Sequence, residues 1–325
     1  MTLPTSGLDQ RDHTDDGGYQ AARDSAAYLV WPRDVLSVSG ADATTYLQGQ
    51  CSQDVAALDQ GSSADSLLLS PQGKVEALVR ISRLGEDHFV IDTDPGLGSV
   101  VQARLERFRL RVKVDIEAVD WTCVAVRGPR SAEVVVGRPA VTAVVDWPGF
   151  AGLDLLGPAD AEVSGWLAED VAVLSEATWE ALRIEAGFPV NGREVTEGSI
   201  AAEVGLVDRS VSFTKGCFTG QELVARLDAR GSNVARRLCG LVLAQPISSS
   251  EENAVLQAAV FTADGEHEVG RVSSIAWSPS LGSTVALATL HRRVVAPETV
   301  ALRWLGPDGG PRHAEAEART LPLLP

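Results

Sequence analysis

After about residue 235 the chain turns β-rich. Leu238 to Leu243, Ala258 to Thr262, Glu268 to Ser274, Val285 to Leu290 and Thr299 to Trp304 are short runs split by Gly, Pro and Ser. Spacing of this kind predicts a small barrel, so residues 236–325 are read as a C-terminal β-barrel domain. The tail after Gly306 is weak in pattern, and the chain shows no internal repeat or long low-complexity segment.

Upstream the pattern is mixed, an α+β class. Val35-Leu36-Ser37-Val38, Ser66 to Leu69, Val75 to Ile81 and His88 to Ile91 read as strands, the middle two around a Pro71-Gln72-Gly73 turn. Ala41 to Gln48 reads as a short helix. Leu97 to Phe108 reads as an amphipathic one with Val100, Val101, Leu105 and Phe108 inward. Between 114 and 175, strands are expected at Trp121 to Val126, Ala143 to Val145 and Gly152 to Leu156, and helices at Ser131 to Val136 and near Asp160 to Glu169. Ser175 is placed to cap a helix Glu176 to Ala186 that Gly187 ends, with Pro189 just beyond. Residues 1–20 are polar and expected to be a disordered arm.

Charge is lopsided, 28 Lys+Arg against 44 Asp+Glu, formally −16. That argues against nucleic acid or an anionic membrane as main partner, because both reward basic surfaces. An anionic ligand must therefore find a local basic pocket. No apolar run approaches the roughly 18 residues a membrane helix needs, and no secretory signal is visible. Cys51, Cys123, Cys217 and Cys239 are widely spaced, with no C-x-x-C and no histidine at ligand spacing. Free thiols in a reducing cytoplasm, with no metal site, are expected.

Lys215-Gly216-Cys217-Phe218-Thr219-Gly220-Gln221-Glu222 is the segment richest in chemistry. Thr219-x-x-Glu222 reads as a capping box opening a helix through Leu227 that Gly231 can end. Cys217 would then precede a helix N-terminus with Lys215 close by, and both would favour the thiolate. Cys217 is thus either a reactive thiol or a small inert residue in a tight turn. Lys215 is either its electrostatic partner or a solvated charge. Gln221 bonds either a ligand or the neighbouring loop.

This segment resembles the signature of the YgfZ folate-binding proteins, relatives of the glycine-cleavage T-protein, an aminomethyltransferase. Five more segments resemble that family in order and spacing: Val38 to Ala43 with Tyr46 to Gln50, Ser70 to Val75, Arg109 to Val114, and Leu182 to Pro189. The resemblance implies a T-protein-like three-domain arrangement around a central folate pocket. The first domain is then discontinuous, 21–115 plus 175–235, the second is 116–174, and the barrel follows. It implies tetrahydrofolate as ligand, iron–sulfur client or assembly proteins as partners, and a role in iron–sulfur cluster assembly or repair. It also implies folate contact at Trp179, where an indole face suits a flat pterin. A second folate-associated tryptophan of the family falls at Arg33 here, while Trp31 lies two residues earlier. Period-2 spacing lets both share a face. Asp154 falls where the T-protein relatives place an acid for the pterin, and a carboxylate there can accept two donors. Arg183 and Arg226 are candidates for anion contacts, each with the alternative of pairing with a nearby Glu.

One departure bears on chemistry. The acidic pair the aminomethyltransferases carry after their Gly-Gly turn is replaced here by Gly73-Lys74-Val75-Glu76-Ala77-Leu78-Val79. Methylene transfer needs a general acid or base, so the glycine-cleavage reaction is not expected. The alternatives are a folate-dependent one-carbon transferase using Glu76 or Asp154, and an interaction module that has lost its ligand.

Overall fold

The computed structural model of the chain describes residues 16–231, 233–248 and 250–324. Its first part runs α1 (Asp16–Asp24), β1 (Ala27–Trp31), β2 (Asp34–Ser39), α2 (Ala43–Gln50), β3 (Ser63–Leu69), β4 (Val75–Gly85), β5 (His88–Thr93), α3 (Gly98–Arg107) and β6 (Asp115–Val119). Next come β7 (Trp121–Arg127), β8 (Val141–Trp147), β9 (Phe150–Pro158), β10 (Ala172–Val173), α4 (Glu176–Ala186), α5 (Val207–Ser210) and α6 (Gln221–Asp228). The last part is β11 (Arg236–Leu243), α7 (Glu252–Val255), β12 (Ala259–Thr262), β13 (Glu268–Ser278), β14 (Ser283–His291), β15 (Glu298–Leu305) and β16 (Pro311–Arg319).

The strands form one sheet of order β3-β4-β5-β2-β6, a second of order β10-β1-β7-β9-β8, and a closed barrel β11-β14-β13-β12-β15-β16. Two ribbons cross from sheet to sheet. β1 pairs with β7 (Trp31↔Cys123) and β2 with β6 (Val35↔Val119), in one continuous antiparallel register. Pro32 sits at the crossing, where it has no ladder hydrogen bond to donate. The crossing leaves Trp31 and Arg33 at the junction of the two sheets.

The helix α4 follows its sequence signals. Ser175 Oγ accepts the Thr178 N–H at 3.1 Å, and Gly187 ends the helix at φ +73°. Nearly all of α4 is buried, because it lies between the second sheet and barrel strands β13 and β14.

Several expectations change. Residues 16–20 are not an arm: α1 buries Tyr19 and Ala22 against α4, while residues 1–15 lie outside the described residues. Residues 27–31, assigned above to the first unit, are hydrogen-bonded into the second sheet. Ser131–Val136 is a series of turns, and Asp160–Glu169 holds only a 3-10 turn at Val163–Trp166. In α3 the buried positions are Gly98, Val101, Arg104 and Leu105, and Val100 faces outward. Arg104 goes inside because Glu76, Gln50 and the Leu69 carbonyl accept its donors and Phe108 lies under it at 4.1 Å. The tail holds a full barrel strand, β16.

The capping box at Thr219 and Glu222 does not form. Gly220 is the residue before α6, at φ +81°, and no side chain caps the helix. A Cβ on Gly220 would lie 2.4 Å from the Ser70 carbonyl oxygen, and one on Gly73 would lie 2.5 Å from Leu223 Cβ. Close approach of the 70–73 turn, not capping, sets where α6 begins. Gly220→Ala is therefore expected to cost about 2 kcal/mol, read as a lower urea midpoint at unchanged slope. An unchanged midpoint would contradict this packing.

Candidate functional site

An alternating chain of buried charge runs through the junction. Arg33 donates to Asp94 Oδ1 (2.7 Å) and Asp92 Oδ1 (2.8 Å). Arg80, directly across the ladder from Asp92, grips both its oxygens at 2.9 Å and reaches Asp154 Oδ2 at 2.6 Å. Arg127 completes the chain at Asp154 Oδ1 (2.8 Å). The order Asp94–Arg33–Asp92–Arg80–Asp154–Arg127 starts on the first sheet and ends on the second. Bidentate pairing of this kind is what a planar guanidinium does best.

The electrostatics follow from how many partners each group has. Burial works against the Arg33 and Arg80 cations, but the carboxylates on them outweigh it and both are held more firmly protonated. For Arg127 burial wins, because it shares the single Asp154 with Arg80, and its proton affinity falls. Asp154, despite its burial, is held well below the usual carboxylate range by Arg127 and Arg80. It stays ionised and has no proton to give near neutral pH.

Aromatic rings wall the same junction. Trp31 and Trp179 lie 5.0 Å apart between centroids, Trp147 meets Trp179 edge-on at 5.0 Å, and Phe188 stacks on Trp147 at 5.2 Å. The Arg127 guanidinium lies over Trp179 at 4.3 Å and Trp147 at 4.5 Å, a desolvated cation–π arrangement. Between charges and rings is a cleft open to solvent. Trp31, Arg33, Arg80, Arg127, Trp147, Asp154, Trp179 and Phe188 line it, with Asp65, Asp94 and the exposed Val144 and Asp146. Charged groups, most of them paired with one another, stand beside aromatic walls, a concave surface suited to a flat polar molecule. Burial pushes the Asp65 carboxyl up against the pull of Arg209, 3.7 Å away.

Of the residues read from the sequence, Trp31, Arg33, Asp154, Trp179 and Arg183 border this cleft. Trp31 is half-buried and Trp179 only 3% exposed, so Trp31 presents the more open ring. Arg183 has no donor left for a ligand. Its five N–H groups go to Glu180 (twice), Glu194, Ser274 and the Phe188 carbonyl. It is fully buried and ties α4 to barrel strand β13.

Lys215, Cys217, Gln221 and Arg226 do not line the cleft. Lys215 Nζ donates to three backbone carbonyls, Gln48 (2.7 Å), Cys51 (2.6 Å) and Gln53 (2.8 Å), and lies 5.1 Å from the Phe218 ring. Its charge ties the end of α2 to the residues that follow it and is spent there, not on Cys217. Cys217 is exposed, four residues ahead of α6, beyond the first turn where a helix dipole acts. Gln221 Oε1 accepts the Phe218 N–H at 3.2 Å, the loop alternative. Arg226 is exposed and makes no ion pair with the described residues. Glu76 is bound to Arg104 at 2.5 Å, on the side of β4 facing α3. Arg80, Arg127, Asp94 and Trp147 line the cleft, and Asp92 ties Arg33 to Arg80 behind it, without any sequence signal. Arg80, Asp92, Arg127 and Trp147 lie in ordinary strands and Asp94 just past the end of β5, and only register brings them together.

Two family models match the chain and together cover more than half of it: the GCVT N-terminal domain over residues 33–144 and the glycine cleavage T-protein C-terminal barrel domain over 236–314. A relative from Yersinia pestis, called tRNA-modifying protein YgfZ, is 30% identical over 217 residues, 61% of this chain and 66% of that protein. The chain thus spans about two thirds of the length of these relatives. An aminomethyltransferase of Corynebacterium jeikeium is 24% identical over 82% of this chain and 78% of its own. The crystal structure of the glycine cleavage system aminomethyltransferase T from Bartonella henselae superposes with a TM-score of 0.77 at 21% identity, covering 94% of this chain and 88% of that one. It has the same fold.

Asp154 is the residue on which two arginines depend. With its folded-state pKa lowered, its contribution is present above the unfolded value near 4 and is lost as pH falls below it. Asp154→Asn is expected to cost about 3 kcal/mol at neutral pH by leaving Arg127 without a carboxylate and Arg80 with Asp92 alone. The gap to wild type should narrow as urea midpoints are measured at progressively lower pH. Equal midpoints near pH 7, or a gap that widens in acid, would contradict the pairing.

Proposed function

Because this chain belongs to the glycine-cleavage T-protein family and is of its YgfZ type, we propose that it binds tetrahydrofolate in the cleft and thereby supports assembly or repair of iron–sulfur clusters in client enzymes of the cytoplasm. The observation that carries the folate reading is the cleft's make-up. A half-open indole, Trp31, lies beside Trp179, and an ionised Asp154 and a buried Arg127 stand at the same wall. A flat, hydrogen-bonding heterocycle fits such a surface. Tetrahydrofolate when bound would supply a one-carbon carrier or a reduced pterin. The chain's own part is to hold the ring and shield it from water.

The alternative of a one-carbon transferase has less support. Its two candidate acids are Glu76, bound to Arg104 outside the cleft, and Asp154, clamped as an anion between Arg80 and Arg127. Neither is set up to shuttle a proton. The name tRNA-modifying, carried by the Yersinia relative, fits this acidic chain best as an indirect role. Support of a cluster-containing enzyme does not require gripping polyanionic RNA. Cys217 and Lys215 keep a place in the proposal only as an exposed thiol and a staple away from the cleft. Thiol chemistry at Cys217 is then directed at a client protein and not at the folate.

Calorimetric titration with 5-formyltetrahydrofolate is expected to show saturable binding. Trp31→Ala should weaken it about tenfold or more by loss of stacking, and Cys217→Ala should leave it within about twofold. In a strain lacking the protein, wild type but not Trp31→Ala should restore activity of cluster-dependent enzymes. Absence of binding by wild type would remove the folate reading, and full rescue by a variant unable to bind folate would remove its link to clusters.

A further inference from the structure

Three carboxylates and three guanidiniums make up the junction chain, so its charges balance. A further half-buried carboxylate stands on the cleft wall outside that balance. Asp65 lines the cleft from β3. It lies directly across the ladder from Arg80, and Arg80 directly across from Asp92, so the three side chains share one face of the first sheet. Arg80 nevertheless spends all three of its nitrogens on Asp92 and Asp154. Among the described residues the Asp65 side chain makes no hydrogen bond, and the one cation within ion-pair distance is Arg209 of α5, at 3.7 Å. That separation is too long for a hydrogen bond. Arg209 in turn donates to the Asp146 carbonyl and lies over the Phe188 ring at 4.7 Å.

Water therefore solvates this carboxylate. The side chain keeps 28% exposure and lines the cleft, so a ring that fills the cleft takes water away from it. Folate is itself an anion, through the carboxylates of its glutamate. A carboxylate with no protein donor, moved out of water beside an anion, is costly, and taking up a proton removes the cost. The protonated carboxyl then has an O–H to donate. Burial already pushes Asp65 up in the free protein, against the pull of Arg209.

The other charged groups around it are not placed to do the same. Arg33 and Arg80 of the first sheet are held by carboxylates, and Asp92 of β5 is held by both of them. On the elements packed against β3 from outside that sheet, Asp146 of β8 and Asp208 of α5 are exposed, and Arg209 is a cation.

We propose, resting on the folate reading above, that binding of an anionic ligand in the cleft takes up a proton at Asp65, which holds the ligand as a neutral acid. Affinity is then highest in acid and falls as pH rises, by about tenfold per pH unit at most, between the Asp65 pKa of the free and of the bound protein.

The test is calorimetric titration with 5-formyltetrahydrofolate, in which the formyl group removes the basicity of N5. Titration in two buffers of different ionisation enthalpy counts the protons taken up. Wild type is expected to take up about half a proton or more per ligand at about pH 6.5, and to bind about tenfold or more tightly at about pH 5.5 than at about pH 8. Asp65→Asn keeps a neutral donor and has no proton to exchange. It should take up less than about a fifth of a proton and bind within about twofold at the two pH values, with its thermal midpoint as the folding control. Binding by wild type without proton uptake overturns the inference and leaves the folate reading standing, as does uptake that persists in Asp65→Asn. Absence of binding at every pH removes both. If Asp65→Asn does not fold, the wild-type proton count decides alone.

Discussion

Arg80 is the tie on which the cleft depends. One guanidinium holds Asp92 of the first sheet by two bonds and Asp154 of the second by a third. The sheets are joined at the ribbon crossings and packed through a shared apolar cluster of Val35, Val90, Cys123, Val141, Ala143 and Leu156, and this charge contact adds a directional tie between them at the cleft. Burying six alternating charges brings little net stability by itself, because desolvation offsets most of the Coulomb gain. What the arrangement supplies is a defined geometry. Hydrophobic contacts could close the junction, but they would not hold a polar wall open beside four aromatic rings.

The helix α4 carries that geometry to the rest of the molecule. Trp179 faces the cleft. Four residues on, Arg183 reaches Glu194 and Ser274 at the barrel, and Glu185 accepts from Tyr19 and Arg23 of α1 and from Ser278 of β13. Three neighbours are thus registered against one eleven-residue helix. Such a helix is nearly all buried and reads in sequence as only mildly amphipathic, because its polar side chains are spent on internal partners rather than on water.

What was legible in the sequence was local. The α4 boundaries follow from Ser175 and Gly187, and most strands follow from apolar runs between turn residues. Trp31 and Arg33 both border the cleft. β16 was missed although Ala314, Ala316 and Ala318 alternate with charged neighbours, because alanine is too weakly apolar to mark a strand face. The charge chain was invisible for a different reason. Arg80 and Asp154 are 74 positions apart, and only the pairing of strands within two sheets makes them neighbours. The segment around Cys217 misled in the opposite way. Sequence proximity placed Lys215 with Cys217, whereas three backbone carbonyls at the end of α2 and just beyond it, of Gln48, Cys51 and Gln53, hold the ammonium. Arg183 lay on a motif resembling a folate-binding family, yet Glu180, one turn earlier, and the barrel consume its donors.

The central claim is that the junction held by Arg80 is the ligand site. A crystal structure of the protein grown with 5-formyltetrahydrofolate tests it most directly. The account predicts ring density against Trp31, with heteroatoms at hydrogen-bonding distance, about 3 Å, from Asp154 and Arg127. A ring bound elsewhere, for instance against the Lys215–Gln221 loop, with the cleft unchanged, would contradict it.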